Sequence, residues 1–286
     1  MEVLQQTTYA PVAVQGGYTD RILRVDLGTN DITIQELAPD FKEKYIGGRG
    51  YAIKLIWDGT TRDTRYDSAD NILVMAGGPL CNEPGFPGTG KFIVGTISPL
   101  TDTFIDSNVG GHFSPLLKLA GFDALAITGI ATRDVMLLID GDAGTLTVTT
   151  APTYDEETDK GALSYGERLL RDVNGGEYDA TVAAVTAGGA ARHSRLGIVN
   201  SLYYDKRRGR VRAKQAGRGG TGTVMRAKGL SAIVVRSSRS RVNGNNAVDP
   251  EGVRRAGGEL KKVIRASDPQ QLHLAAWGTP VLSEYM

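Results

Sequence analysis

Three glycine-rich clusters are the parts of this chain best suited to chemistry, and each carries a cation: residues 47–50 (GGRG), 85–91 (GFPGTGK) and 217–222 (GRGGTG). Glycine loops allow backbone N–H groups to approach phosphate oxygens, and a nearby Arg or Lys adds positive charge. GFPGTGK is not a Walker A loop, because Phe92 follows Lys91 where that motif requires Ser or Thr. Each cluster alone is more typical of a tight turn, so the prediction of a phosphate-type site depends on their combination.

A fourth segment, residues 98–113 (SPLTDTFIDSNVGGHF), places Asn108 next to a pair of glycines. An Asn amide offers donors and an acceptor, and glycine lets the backbone come close to a ligand. An Asx-turn before a helix is the alternative interpretation. We expect His112 and Asp106 to have packing or hydrogen-bonding roles, because no nucleophile motif accompanies them.

Residues 205–214 (DKRRGRVRAK) form the most basic run. This run suggests either an RNA or membrane patch, or a local counter-charge for an anion held by the adjoining 217–222 loop. The chain has 33 Lys plus Arg against 32 Asp plus Glu, a formal net charge of +1. A nucleic-acid binder usually has a strongly basic face, so the neutral balance favours the counter-charge.

The hydrophobic pattern around these segments predicts an α+β fold. A hairpin is indicated near residues 22–37, followed by a helical segment over 39–57 that the 47–50 cluster interrupts. Short apolar runs predict strands, and further helices are expected at 115–120 and 163–173. These strands are 72–75, 92–97, 125–127, 135–139, 146–148, 181–185 and 232–235. The mixed order of strands and helices argues against a repeating βαβ series.

The same pattern suggests four regions: a flexible arm at 1–17, a main domain at 18–236, a linker at 237–248, and the start of a helical domain at 249–286. Asp249 followed by Pro250 is typical of a helix start, and that helix is predicted to run to about residue 266, with another opening at Asp268-Pro269.

Composition limits the chemistry of the chain. Hydrophobic residues make up 41%, enough for a core, and Cys81 is the one cysteine, so neither a disulfide within the chain nor a thiolate metal site can form from it alone. We expect Cys81 to be a buried packing residue. There is no apolar run near 18 residues and no signal-peptide pattern, so the sequence predicts a cytoplasmic protein without a membrane span.

In combination, the motifs resemble the tungsten-containing aldehyde ferredoxin oxidoreductase family. The resemblance covers roughly residues 18–286 and is carried by a set of segments in a fixed order: GGRG, GPL, GTGKF, SPLTD, DSNVGGHF, LKLAGFDAL, AGRGGTG and VMRAKGLSAIVV. It implies the family's N-terminal domain, in which paired mixed β-sheets form a base for a bis-pterin cofactor of tungsten (or molybdenum) with Mg²⁺ bridging the pterin phosphates.

The resemblance also implies roles for individual residues. Asn108 and Gly110 match the family's pterin-phosphate segment, and Gly217 and Arg218 match its second phosphate loop. Asn108, through its side-chain oxygen, and Gln215, through its carbonyl, are the implied Mg²⁺ ligands.

Two departures from the family's pattern lie close to these residues. Lys91 stands where the family commonly has Arg, so the charge is kept but the bidentate fork is lost. Lys214-Gln215 stands where relatives often have Arg-Ala, after an apparent basic insertion over 203–214 that affects the register of the loop.

The family's iron–sulfur cysteines are not matched in this chain. The resemblance therefore implies that the cluster belongs to a partner subunit or to the C-terminal remainder of a longer polypeptide, and that this chain alone does not turn over substrate. No catalytic residue is assigned to the chain.

The implied reaction oxidises a small-molecule aldehyde to a carboxylate with ferredoxin as acceptor, in an oligomeric assembly. Reduction of aromatic-ring thioesters and a metal-free scaffold are the alternatives.

Overall fold

The computed structural model describes residues 1–153, 161–239 and 245–267, together with Ser283. The strands are β1 (Val3–Thr8), β2 (Arg21–Asp26), β3 (Asp31–Glu36), β4 (Leu73–Ala76), β5 (Phe92–Ile97), β6 (Phe104–Val109), β7 (Ala124–Thr128), β8 (Val135–Asp140), β9 (Thr145–Thr150), β10 (Val182–Thr186), β11 (Val199–Asp205), β12 (Arg210–Ala216) and β13 (Leu230–Arg236). The helices are α1 (Pro39–Tyr45), α2 (Arg49–Gly59), α3 (Phe113–Leu119), α4 (Ala162–Val173), α5 (Thr221–Ala227) and α6 (Pro250–Ser267), with a 3-10 turn at Gly189–Arg192.

The strands form two mixed sheets, which confirms the predicted α+β class. The seven-stranded sheet has the order β1-β9-β8-β13-β10-β11-β12, and the six-stranded sheet has the order β3-β2-β7-β4-β5-β6. Each sheet contains one parallel pair, β13 with β8 and β2 with β7, among antiparallel neighbours. Strands β12 and β6 are therefore edge strands of different sheets.

Apolar side chains form three buried clusters that hold the layers together. The largest lies between the two sheets and includes residues of α3 and α5, such as Phe113 and Met225. A second packs α2 against the outer face of the six-stranded sheet, and a third packs α4 against the outer face of the seven-stranded sheet. Buried strands such as β10 are apolar on both faces for this reason.

Most of the predicted elements are present. The hairpin pairs Arg21 with Glu36 through Asp26 with Asp31, and the helical segment is broken between α1 and α2 at the 47–50 cluster. Helix α6 begins as expected, because the Asp249 carboxylate accepts a hydrogen bond from the Gly252 N–H at 2.8 Å. The second helix, expected from residue 268, lies outside the described residues.

The prediction of a flexible arm over 1–17 is wrong for its first half. Residues 3–8 form β1, which pairs antiparallel with β9. The segment is polar because β1 is an edge strand and much of it is exposed. Its hydrogen bonds are made by the backbone and by the Gln6 side-chain amide, which donates to Thr147 Oγ1. Polar side chains on such a strand hide it from a hydrophobicity pattern.

The end of the predicted linker is packed against the N-terminal segment. The Gly17 N–H donates to the Asn245 carbonyl at 2.9 Å, and the Asn245 amide donates to the Pro79 carbonyl at 2.6 Å. Asn245 is buried. Residues 240–244 lie outside the described part of the chain, and the domain boundaries remain predictions.

A buried lysine joins two of these loops. Lys118 of α3 is 1% exposed, and its ammonium donates to the carbonyls of Gly17 at 2.6 Å and Gly78 at 2.7 Å. Burial lowers the pKa of Lys118, and the nearby Asp123 carboxylate opposes that shift. The Gly17 carbonyl is buried and depends on this side chain, whereas the half-buried Gly78 carbonyl also accepts the Cys81 N–H at 2.9 Å.

No helix among the described residues combines the length and the apolar character needed to cross a bilayer.

We predict that Lys118→Met lowers the free energy of unfolding by about 3 kcal/mol, because the buried Gly17 carbonyl and the half-buried Gly78 carbonyl lose a charged donor. Urea denaturation of the chain measures the change. Lys44→Met, at an exposed lysine paired with Asp40, is the control and is expected to leave the free energy of unfolding close to that of the unmodified chain. Equal free energies of unfolding for the two variants would contradict the inference that Lys118 stabilises the fold by joining the Gly17 and Gly78 loops.

Candidate functional site

The candidate site lies where the two edge strands β6 and β12 meet. We call it the β6/β12 site and define it as Lys91, residues 107–111 and residues 214–219. The Arg218 backbone N–H donates to Ser107 Oγ at 3.3 Å. Ser98 Oγ donates to the Gly219 carbonyl at 2.9 Å. The SPLTD segment, the DSNVGG segment and the 217–222 loop therefore lie together, although more than 100 residues of sequence separate Ser107 from Arg218.

Gly219 makes this close approach possible. Its φ is +77°, in the left-handed region, and a Cβ at this position would collide with the side chain of Ile105 on β6. Gly217 differs, because a Cβ there would have no heavy atom within 4 Å. Of these two loop glycines, Gly219 is thus required by the contact with β6, whereas Gly217 leaves open space beside the backbone.

Two lysine side chains lie close to Gly110. A Cβ on Gly110 would lie 3.8 Å from Lys214 Cγ and 3.9 Å from Lys91 Cδ. Lys91, Asn108 and Lys214 are all exposed, whereas Ser107 and Val109 are buried, as the alternation of a strand requires. The site therefore presents an amide and lysine ammonium groups to solvent next to bare backbone.

The first glycine cluster also reaches β6. Arg49, at the start of α2, forms an ion pair with Asp106 at 2.7 Å. Asp106 lies two residues before Asn108 and thus on the same face of the strand. The Arg49 guanidinium neutralises the Asp106 carboxylate, so the positive charges of Lys91, Lys214 and Arg218 dominate the site.

All six residues predicted from the sequence lie on the segments that form the β6/β12 site: Lys91, Asn108, Gly110, Gln215, Gly217 and Arg218. Gln215 is exposed near the end of β12, opposite Asn200 of β11. Their roles as ligands of a cofactor or of Mg²⁺ remain predictions.

Sequence reasoning gave no role to Ser98 and Ser107, and it included Lys214 only as part of the basic run expected to supply counter-charge to the 217–222 loop. Both serines are buried, and their hydroxyls bind the 217–222 loop. Lys214 belongs to the basic run, and its placement beside Gly110 required knowledge that β6 and β12 are adjacent edges. Only the position of Ser98 and Ser107 inside the motifs could have pointed to them.

The residues expected to have packing roles have them. The His112 ring lies 4.2 Å from the Tyr203 ring, centroid to centroid. Cys81 is buried, with its sulfur 3.1 Å from Ser114 Oγ.

The donor set fits phosphate groups. Exposed ammonium and guanidinium groups, an amide and glycine backbone are the partners that phosphate oxygens take. Within the described part of the chain, no three His, Cys, Asp or Glu side chains are grouped so as to hold a metal ion. The chain would thus bind a large anionic group through the phosphates of that group. A metal ion within the group would need ligands other than His, Cys, Asp or Glu clusters of the described residues.

The fold and this site describe an α+β domain with an exposed cationic site suited to an anionic group, and comparisons with known proteins specify its family. The family model described as "Aldehyde ferredoxin oxidoreductase, N-terminal domain" matches residues 22–237. The chain belongs to this family.

The chain is similar to several named proteins. It is 31% identical over 226 residues to the tungsten-containing aldehyde ferredoxin oxidoreductase of Pyrococcus horikoshii, covering 78% of this chain and 34% of that protein. It is 26% identical to an aliphatic sulfonate oxidoreductase, WOR-like subunit, of Pyrococcus furiosus, covering 77% of this chain and 35% of that protein. Among solved structures it is similar to the active site complex BamBC of benzoyl coenzyme A reductase with 1,5-dienoyl-CoA, with a TM-score of 0.67, 28% identity, and coverage of 79% of this chain and 32% of that one. The chain spans about a third of the length of these relatives.

We predict that Gly219→Ala lowers the free energy of unfolding by about 2 kcal/mol, because the new methyl group is strained at positive φ and meets Ile105. Gly217→Ala is the matched control and is expected to leave stability within about 0.5 kcal/mol. Chemical denaturation of both variants measures the difference.

A double variant isolates the contact with β6. If Ile105 is the obstacle, Gly219→Ala combined with Ile105→Ala loses less stability than the two single changes added together. Strict additivity would show that the loop and β6 do not pack as described.

Proposed function

We propose that this chain is the cofactor-binding part of a tungsten bis-pterin oxidoreductase. The observation that supports it best is the meeting of the 107–111 segment and the 217–219 loop in one exposed cationic site, bridged by Arg218 N–H and Ser107 Oγ. The relatives named as tungsten-containing are similar to this chain over 78% of its length. A cofactor with molybdenum in place of tungsten would bind to the same β6/β12 site.

In this proposal, the backbone of Gly110, Gly217 and Arg218 faces the cofactor's phosphates, and Lys91 and Arg218 neutralise their charge. Carbonyl and amide oxygens are ligands that Mg²⁺ accepts, and Asn108 and Gln215 would supply one each to an ion shared with the phosphates. The Lys91 ammonium acts as a point charge, whereas the guanidinium of an Arg at this position would bind two phosphate oxygens at once.

When bound, the metal–pterin group supplies two-electron redox chemistry, here the oxidation of an aldehyde to a carboxylate with water as the oxygen source. The chain's own part is to hold the group and to fix its orientation. The iron–sulfur cluster would come from a partner subunit or from the remainder of the polypeptide, with ferredoxin as the acceptor. The complete enzyme is proposed to be a cytoplasmic oligomer.

A second candidate has specific support. The similar solved structure is described as a benzoyl coenzyme A reductase complex with a dienoyl-CoA, at 28% identity, close to the 31% of the aldehyde oxidoreductase of Pyrococcus horikoshii. Reduction of aromatic-ring thioesters would use the same β6/β12 site, because its residues would contact the cofactor and not the substrate in either reaction. A metal-free scaffold is a further alternative, which metal analysis would test.

We predict that Arg218→Ala and Asn108→Ala each lower the pterin and tungsten content of the assembly purified with its natural partners, by about fivefold or more, since a charged contact contributes roughly 1.5–3 kcal/mol. Elemental analysis and pterin fluorescence measure the content per chain. Arg255→Ala, at an exposed position on α6, is the matched control and should retain the metal and pterin content of the unmodified assembly.

Unchanged metal and pterin in both site variants would refute the assignment of Arg218 and Asn108. Absence of tungsten and molybdenum from the unmodified assembly would refute the oxidoreductase and support the scaffold.

A further inference from the structure

The basic run over residues 205–214 was predicted to act as one counter-charge, but in the structure its two ends lie in different places. Lys214 lies beside Gly110 in the β6/β12 site, whereas the residues before it form the far end of the β11–β12 hairpin. We call residues 205–212 the basic hairpin. Asp205 pairs with Arg210, and residues 206–209 form the turn, with Gly209 at φ +62°.

The turn of the basic hairpin lies far from the phosphate loop. Gly217 comes seven positions after Arg210, and strand residues advance ~3.3 Å each, so the two lie on the order of 20 Å apart. The Debye length at physiological ionic strength is about 8 Å, and exposed charges at more than twice this distance are largely screened. Arg212 lies nearer to the site, whereas Arg207, Arg208 and Arg210 contribute little charge to it and are placed to act on another partner.

The basic hairpin concentrates charge in a chain that is otherwise acidic. It carries five Lys and Arg and one Asp, a net charge of +4, and the whole chain has +1, so the remaining residues sum to −3. Asp205 contacts Arg208 at 2.8 Å and Arg212 at 3.6 Å. Within the described part of the chain no ion pair involves Arg207 or Arg210, and both are exposed.

The hairpin is held in place at its base. The Tyr204 ring stacks on Tyr178 with centroids 5.7 Å apart and planes 13° apart, and Lys206 forms an ion pair with Asp179 at 3.2 Å. A surface fixed before binding loses less conformational entropy when a partner arrives. These contacts restrain the strand end and the first residue of the turn against residues 178 and 179.

We propose that the basic hairpin is a docking surface for the acidic face of a separate protein that assembles with this chain. Nucleic acid fits less well, because Tyr203 is buried and Tyr204 is stacked, so the hairpin offers no aromatic platform for bases. An acidic protein surface of limited extent matches the size and charge of the hairpin. This proposal goes beyond the cofactor function and does not depend on it.

Zero-length coupling of amines to carboxylates in the native assembly tests the proposal. Lys206 supplies an amine at the hairpin, and coupling to Asp179 of the same chain shows that the reagent has reached it. We expect mass spectrometry to find Lys206 joined also to Asp or Glu of a different polypeptide. Coupling only within this chain, or to a second copy of it, would overturn the proposal, as would an assembly that contains no other protein.

Charge reversal then tests whether the contact contributes to affinity. With the coupled polypeptide as the probe, the triple variant Arg207→Glu, Arg208→Glu, Arg210→Glu should weaken binding at least about tenfold, with a smaller salt dependence. The matched control is Arg255→Glu, Lys261→Glu, Arg265→Glu on the exposed surface of α6, which should bind as the unmodified chain does. Equal effects of both triple variants, or no effect of the hairpin variant, would overturn the proposal.

Two further readouts separate this proposal from its alternatives. A 25-nucleotide oligo-dT that binds the chain and is lost in the hairpin variant would assign the surface to nucleic acid instead. Pterin and metal content are measured on the same samples. The hairpin variant is expected to retain them, and low content in the unmodified assembly would refute the cofactor function while leaving the docking result intact.

Discussion

The contact between the edge strands β6 and β12 is the constraint on which the rest of the structure depends. Each strand ends a different sheet, and an edge normally leaves backbone groups exposed. Here the edges approach until the Arg218 N–H reaches Ser107 Oγ, and Gly219 has no side chain because Ile105 occupies the space. Helices α3 and α5 between the sheets set the spacing that makes this approach possible. A site built in this way depends on the packing of the whole core.

The distribution of charge follows from the same geometry. A net charge of +1 over 286 residues conceals two local concentrations of cations, one at the β6/β12 site and one at the end of the β11–β12 hairpin. The turn of the hairpin and the 217–219 loop lie at opposite ends of β12, more than a Debye length apart, so the charges of the turn act on their own surroundings. The Arg49–Asp106 ion pair neutralises the charge of the Asp106 carboxylate, which would otherwise repel an anion at the site.

The sequence allowed the buried elements to be predicted well, because strands such as β5 and β10 are apolar enough to stand out from their flanking turns. It missed the inner strand β11 and the edge strands β1, β6 and β12, although the edge strand β3 was found as part of the hairpin. Strands β1, β6 and β12 carry Gln, Asp, Asn, Arg and Lys, and their pairing is made by backbone groups that no side-chain pattern records. The six site residues were found through motifs, whereas the position of Lys214 beside Gly110 depends on which edges meet in space.

The most direct measurement is an experimental structure of the cofactor-loaded assembly, with the metal located by anomalous scattering at the tungsten edge. The proposed function predicts phosphate groups within hydrogen-bonding distance of Asn108 and of the Gly217–Arg218 backbone, with Lys91 beside them. A metal–pterin group bound elsewhere, with the β6/β12 site facing only solvent or another protein, would contradict it.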